Sequence, residues 1–226
     1  MNEGPISSAP SAREPQEGTG RIVASRGLSP KILVDEALTD GMAILAAAHA
    51  GLAWYLGCGP EERPLVSFKT SDCSRHSASE LQQQKQSARY LSLTESALGH
   101  MEVAIVGGCH QDAIAPQHRK APEHPCTLKM YILVDQNAPL QDAMAAAANA
   151  AILCFARHEH LPETSEWVNS SFRKVVCRAS ESDFVQAMRA ENCAAVPRES
   201  SSLPRAVAFS PRPVWPKQFQ FFRLYR

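Results

Sequence analysis

Residues Lys31 to Val106 and Lys129 to Ser210 read as two copies of one unit, and no other feature of the sequence limits the fold as strongly. Ile32-Leu33-Val34-Asp35 returns as Ile132-Leu133-Val134-Asp135, 100 positions later, and the small-residue run Ala43 to Gly51 returns at that shift as Ala143 to Ala151. Farther on, Ser67-Phe68-Lys69 and Cys73 return as Ser171-Phe172-Arg173 and Cys177, 104 positions later. Glu95-Ser96 and Val103-Ala104 return at the same shift as Glu199-Ser200 and Val207-Ala208. Chance likeness between alanine-rich helices would explain the middle match but not an ordered series. A period of this kind means that one supersecondary unit occurs twice, so the unit decides the architecture.

Each unit opens on an apolar run of strand length, KILVD or KMYILVD, followed by a turn and an alanine-rich helix, Gly41 to Leu56 or Leu140 to His158. Thr39 or Asp40 is placed to cap the first helix. Alanine on the facing stripe lets a helix lie close to a sheet at little cost in side-chain entropy. In the second unit a surface segment, HLPETSEWVNSS, precedes a strand over Phe172 to Arg178. A short helix (Ala78 to Ser87; Glu181 to Ala190) and two closing strands (Tyr90 to Thr94 and Glu102 to Val106; Ala194 to Arg198 and Arg205 to Phe209) complete the pattern. Strands alternating with helices and ending in a hairpin predict an α/β layered domain with a mixed sheet, in two tandem copies. The expected boundaries are a disordered tail over 1–27, a first unit over 28–107, a linker over 108–127 and a second unit over 128–226. Trp215, Phe219, Phe221, Phe222 and Tyr225 are expected to cover an apolar face.

Composition sets the remaining limits. The 226 residues carry no net charge, but the halves differ: 1–128 hold 11 basic and 14 acidic residues, 129–226 hold 12 and 9. An anionic partner would therefore favour the second half. Seven scattered cysteines without CxxC pairs, several of them on core elements (Cys154, Cys177), fit free thiols in a reducing compartment. The stretch Gly41 to Leu56 is too short and alanine-rich to span a bilayer, and the acidic, Ser/Pro/Gly-rich start lacks the apolar segment of a secretory signal. A cytoplasmic location without membrane contact is the expectation.

With these elements in place, several motifs resemble the peptidyl-tRNA hydrolase family of the archaeal and eukaryotic type. The first unit supplies DGMAILAAAHAGLAWYL (Asp40 to Leu56) and TESALGHMEVAIV (Thr94 to Val106). The second supplies Lys129-Met130, EWVNSSFRKVVCR (Glu166 to Arg178), Ser182-Asp183-Phe184 and WPKQFQFFRLYR (Trp215 to Arg226). The resemblance implies that fold in both units and hydrolysis of the ester joining a peptide to tRNA. In the family, a lysine near the start of the alanine-rich helix and an Asp and Thr between the last two strands are functional. The lysine position corresponds here to Met42 and Asp142. The loop corresponds to Thr94-Glu95-Ser96-Ala97 and Arg198-Glu199-Ser200-Ser201.

Ester hydrolysis needs a group that activates water and donors that hold the oxyanion, and His49 with Thr94, Glu95 and Ser96 could provide both. The hydroxyls could equally satisfy turn backbone, and His49 could be a hydrogen-bonded core residue. Asn149 replaces His49 in the second copy, keeping hydrogen bonding but not proton transfer. Asp35 and Asp135 end the first strand of each unit, where α/β sheets place ligand groups, although they could instead cap the following turn. Arg173, Lys174 and Arg178 could form a phosphate-facing edge or a solvated face. Glu199 and Ser200 complete the substrate-binding candidates. Cys109, His110, His118, His124 and Cys126 lack the paired spacing of a zinc site, and no phosphate loop, GxSxG or HExxH is present. No metal or cofactor is expected. Two functions fit: a divergent peptidyl-tRNA hydrolase, or a non-catalytic scaffold that binds tRNA, other RNA or a protein. In both, the two units pair within the chain as a pseudo-dimer.

Overall fold

The computed structural model describes residues 30–58, 63, 67–87, 92–95, 99–106, 127–199 and 201–225, and of these 85–87, 92–95 and 99–106 in backbone alone. The expected tail, nearly all of the linker with its Cys and His residues, and Ser96 and Ser200 lie outside the described residues. The first unit runs β1 (Lys31–Asp35), α1 (Asp40–Gly57), β2 (Cys73–His76), α2 (Ala78–Ser87), β3 (Ser92–Glu95) and β4 (Gly99–Val106). The second runs β5 (Lys129–Asp135), α3 (Leu140–His158), α4 (Pro162–Asn169), β6 (Arg173–Ala179), α5 (Glu181–Ala187), β7 (Cys193–Arg198), β8 (Ser201–Arg212) and β9 (Arg223–Leu224).

Both sheets are mixed and have one strand order. The first is β2-β1-β4-β3, and the second repeats it as β6-β5-β8-β7 with β9 added outside β6. The parallel pairs β1/β2 and β5/β6 each need a crossover, which the alanine-rich helix helps to provide; the remaining pairs are antiparallel. Thr39 caps α1 through its hydroxyl, which accepts the Met42 N–H at 3.4 Å. Ser180 and Asp183 form a reciprocal capping box that starts α5.

The core explains why α1 and α3 are alanine-rich almost all round. Each packs on its own sheet and on the other helix, and one cluster joins Ile32, Ile44, Leu52, Ile132, Met144 and Ile152 across both units. A helix covered on most sides has no polar face to present to water. The approach is tightest at Gly51: a Cβ there would stand 2.9 Å from the Ala148 Cβ and 3.3 Å from the Phe68 ring.

Strand register corrects the sequence alignment by one residue. Ile32 lies opposite Cys73 and Ile105, whereas Ile132 lies opposite Val176 and Ala208. The ladders thus relate the first strands by 100 positions and their neighbours by 103, not 104. A slip of one residue changes the face a side chain takes. Cys73 and Val176 accordingly share the central core, while Cys177 points into a second, outer cluster. The extra residue of the first unit is taken up by a 3₁₀ turn over Thr70–Asp72, so Phe68 and Phe172, which precede it, keep the shift of 104.

Two further differences concern the second unit. The segment expected to lie on the surface contains α4, begun by Pro162 at a helix position that needs no N–H donor. Its Trp167 is fully buried and donates its indole N–H to the Arg173 carbonyl at 2.8 Å. Of the C-terminal aromatics, Trp215, Phe219 and Phe222 do cover the outer face of the second sheet, against Tyr131, Phe184 and Phe209. Phe221 instead stands 80% exposed. Cys58, Cys73, Cys154, Cys177 and Cys193 are free thiols, and burial pushes Cys73 and Cys177 up to about 12. Among the described residues no helix is long and apolar enough to cross a membrane.

Candidate functional site

The strand-end aspartates are both occupied by their own turns. The Asp35 carboxylate accepts the Ala37 N–H at 2.9 Å, and that of Asp135 accepts the Asn137 N–H at 3.0 Å. These are side-chain turns of the kind Asp favours. Asp135 also forms an ion pair with Arg198 of β7, which ties the turn to the closing hairpin.

At the middle of each alanine-rich helix the single polar side chain crosses to the other unit. Asn149 of α3 accepts the Phe68 N–H at 2.8 Å and donates to the Phe68 carbonyl at 2.9 Å. Its amide supplies one donor and one acceptor to one residue's backbone, as a neighbouring strand would. His49 of α1 meets the edge of the Phe172 ring, with centroids 4.7 Å apart. Its Nδ1 is buried and has no hydrogen-bond partner among the described residues. Burial, and secondarily the positive charge of Lys174, hold the imidazole well below its ordinary pKa. It therefore stays neutral at physiological pH.

Around Phe172 the second unit builds a cage. The ring lies 4.7 Å from Trp167, and the Lys174 Nζ sits 3.3 Å from the Phe172 centroid and 4.9 Å from that of Trp167. Lys174 is 5% exposed and donates to the Phe172 carbonyl at 3.2 Å. Its neighbours Arg173 and Arg178 are exposed, so the three cations do not form one edge. Phe172 itself has φ 48°, a conformation rare for a bulky side chain and held here by packing.

A cleft of about 480 Å³ opens between the units. Its floor is α3, where Ala145, Ala146 and Ala156 leave room beside Ile152 and Leu153. One wall is the first unit's segment Ser67 to Thr70 with Tyr55, and the other is the hairpin of β7 and β8, through Val196, Glu199 and Arg205. The Thr70 hydroxyl donates to the Asp142 carboxylate, linking the wall to the first turn of α3. The cleft thus gathers Glu199, a candidate from sequence, with Asp142 of the first turn of α3. Lys69, Thr70 and Arg205 were not singled out by sequence reasoning. Lys69 and Thr70 come from the other unit, where no spacing could have linked them to Glu199, whereas Arg205 follows Glu199 on the same hairpin.

The first-unit candidates are brought together in part. β4 runs antiparallel to β1, so its Gly99 end and the Glu95 end of β3 lie at the sheet end where α1 begins. Thr94 and Glu95 occupy that end in backbone, while their side chains, and Ser96 entirely, lie outside the described residues. His49 lies more than two turns into α1 and faces Phe172. Among the described residues no group of three His, Cys, Asp or Glu is placed to hold a metal ion. Comparison with protein-family models and with curated proteins gives no match.

Proposed function

We propose that this chain is a non-catalytic RNA-binding scaffold made of two peptidyl-tRNA-hydrolase-like modules, duplicated in tandem and paired as an intramolecular pseudo-dimer. The shared strand order and the matching positions of α1 and α3 support the duplication. The observation that carries the loss of catalysis is the use made of His49 and Asn149: both hold the units together. An imidazole kept neutral by burial, with its Nδ1 unpartnered, is poorly suited to exchange a proton with a substrate. Met42 and Asp142 stand in place of the family lysine, so that helix position supplies no cation to a phosphate or an oxyanion.

RNA is the favoured partner because Arg178 of β6 lies directly opposite Arg223 of β9, both exposed. Like charges in facing positions of a sheet oppose folding, and a polyanion relieves that repulsion. Arg173 extends the same strand. One observation favours the hydrolase reading instead: the Thr94-Glu95 end of β3 stands at the sheet end where α1 starts.

Hydrolysis of N-acetylaminoacyl-tRNA, read as release of the free N-acetylated amino acid, separates the two. The expected result is release no faster than the spontaneous rate, unchanged in a Thr94→Ala, Glu95→Ala variant. Catalysed release that this variant loses would overturn the proposal and establish a hydrolase. Binding of tRNA at low salt should weaken steeply as salt rises, and an Arg178→Ala, Arg223→Ala variant should show a smaller slope.

A further inference from the structure

The cleft between the units has a charge pattern that the arginine face of β6 and β9 does not share. Asp142 and Glu199 line it together with Lys69 and Arg205. Among the described residues none of the four forms an ion pair, although Asp142 accepts the Thr70 hydroxyl. The opposite charges in the cleft therefore stand too far apart to neutralise one another directly. Arg205 is half-buried, and among the described residues its guanidinium makes no ion pair, so its donors are open to a ligand in the cleft. Its fork of donors matches a carboxylate. Between the charges lies an aliphatic floor of Ala145, Ala146, Ile152 and Leu153.

The volume of about 480 Å³ falls within the range of small-molecule sites, roughly 300–1,000 Å³. A multiply charged anion such as a free phosphate would meet Asp142 and Glu199 as well as the two cations. A molecule carrying one charge of each sign meets no such conflict. We infer that this cleft binds a small zwitterion with an aliphatic body, of the size of a dipeptide. Its carboxylate lies on Arg205 of the hairpin wall, its ammonium on Asp142 beside the Thr70 wall, and its aliphatic side chains on α3. The site requires both units, because Lys69 and Thr70 come from the first and the rest of the charged lining from the second.

Isothermal titration calorimetry of the full chain with leucyl-leucine tests this, with N-acetyl-leucyl-leucine and leucyl-leucine amide as single-charge probes. The dipeptide should bind, and each single-charge probe should bind at least about tenfold more weakly, since a lost charge-assisted hydrogen bond is worth about a factor of ten or more. Arg205→Gln, checked for unchanged fold by circular dichroism, should weaken leucyl-leucine by a similar factor. An Arg178→Ala, Arg223→Ala variant should bind the dipeptide as the parent does, which separates this site from the RNA face. Absence of dipeptide binding at millimolar concentration overturns the inference. So does equal affinity for all three probes, or equal affinity of the Arg205→Gln protein. Failure of tRNA binding with dipeptide binding intact would remove only the RNA reading.

Discussion

The corner where each unit's second parallel strand begins is joined to the other unit in two chemically different ways. At Phe68 the join is polar: Asn149 bonds both backbone groups of one residue, and that residue keeps an ordinary backbone. At Phe172 the join is apolar and strained: a ring packed on Trp167, His49 and the Lys174 ammonium holds its own backbone at positive φ. Equivalent positions can therefore be stabilised by directional bonds or by packing, and the two should fail differently. The polar corner depends on donors and acceptors being matched. The packed corner depends on volume and on a neutral imidazole beside a cation.

Phe172→Ala should be the most damaging change at either corner. It removes a buried ring that touches three partners and leaves a non-glycine residue at positive φ, for an expected loss of about 3–5 kcal/mol in urea denaturation. A loss below about 1 kcal/mol would mean that the packed corner carries little of the join. Asn149→Ala comes next, at about 2–3 kcal/mol, because it strands a buried N–H and a buried carbonyl on Phe68. If Asn149→Asp were tolerated as well as the parent, the two-bond geometry would be wrong, since a carboxylate cannot donate to that carbonyl.

The smallest expected effect is on pH dependence. His49 has a folded pKa below its unfolded value, so the unfolded chain takes up the proton first as pH falls. Its contribution is complete above the unfolded value of about 6.5 and declines below it, by at most about 1.4 kcal/mol per pH unit, until the folded group also titrates. His158, likewise lowered by burial first, adds to the same slope. His49→Asn should therefore flatten the decline between pH 6.5 and 5 without abolishing it. An unchanged slope would show that the imidazole is not held neutral at the packed corner.

Much of this was legible beforehand. The helices over Asp40–Gly57 and Leu140–His158 match their expected limits to within a residue or so, because alanine-rich runs bounded by strand-like segments leave few alternatives. The hairpin strands were also placed, though β8 spans Ser201–Arg212 rather than Arg205 to Phe209. α4 was missed because Glu163, Ser165 and Glu166 make the segment look like surface, and only Trp167 marks its buried face. The candidate residues divided along the same line. Asp35 and Asp135 serve turns, an alternative already visible in an Asp at a strand end. The burial of Lys174 against two rings was not visible, because a cation in a strand of alternating residues ordinarily reads as solvated.

The sequence alone determined the helix and strand content and the mixed-sheet architecture, because these follow from local periodicity that needs no partner. Tertiary structure decided the rest: the one-residue register, the use of His49 and Asn149 as cross-unit contacts, and the cleft joining Lys69 and Thr70 to Asp142, Glu199 and Arg205. Those depend on how two apolar helices settle against each other at Gly51 and Ala148, a contact between residues 97 positions apart that no local signal encodes.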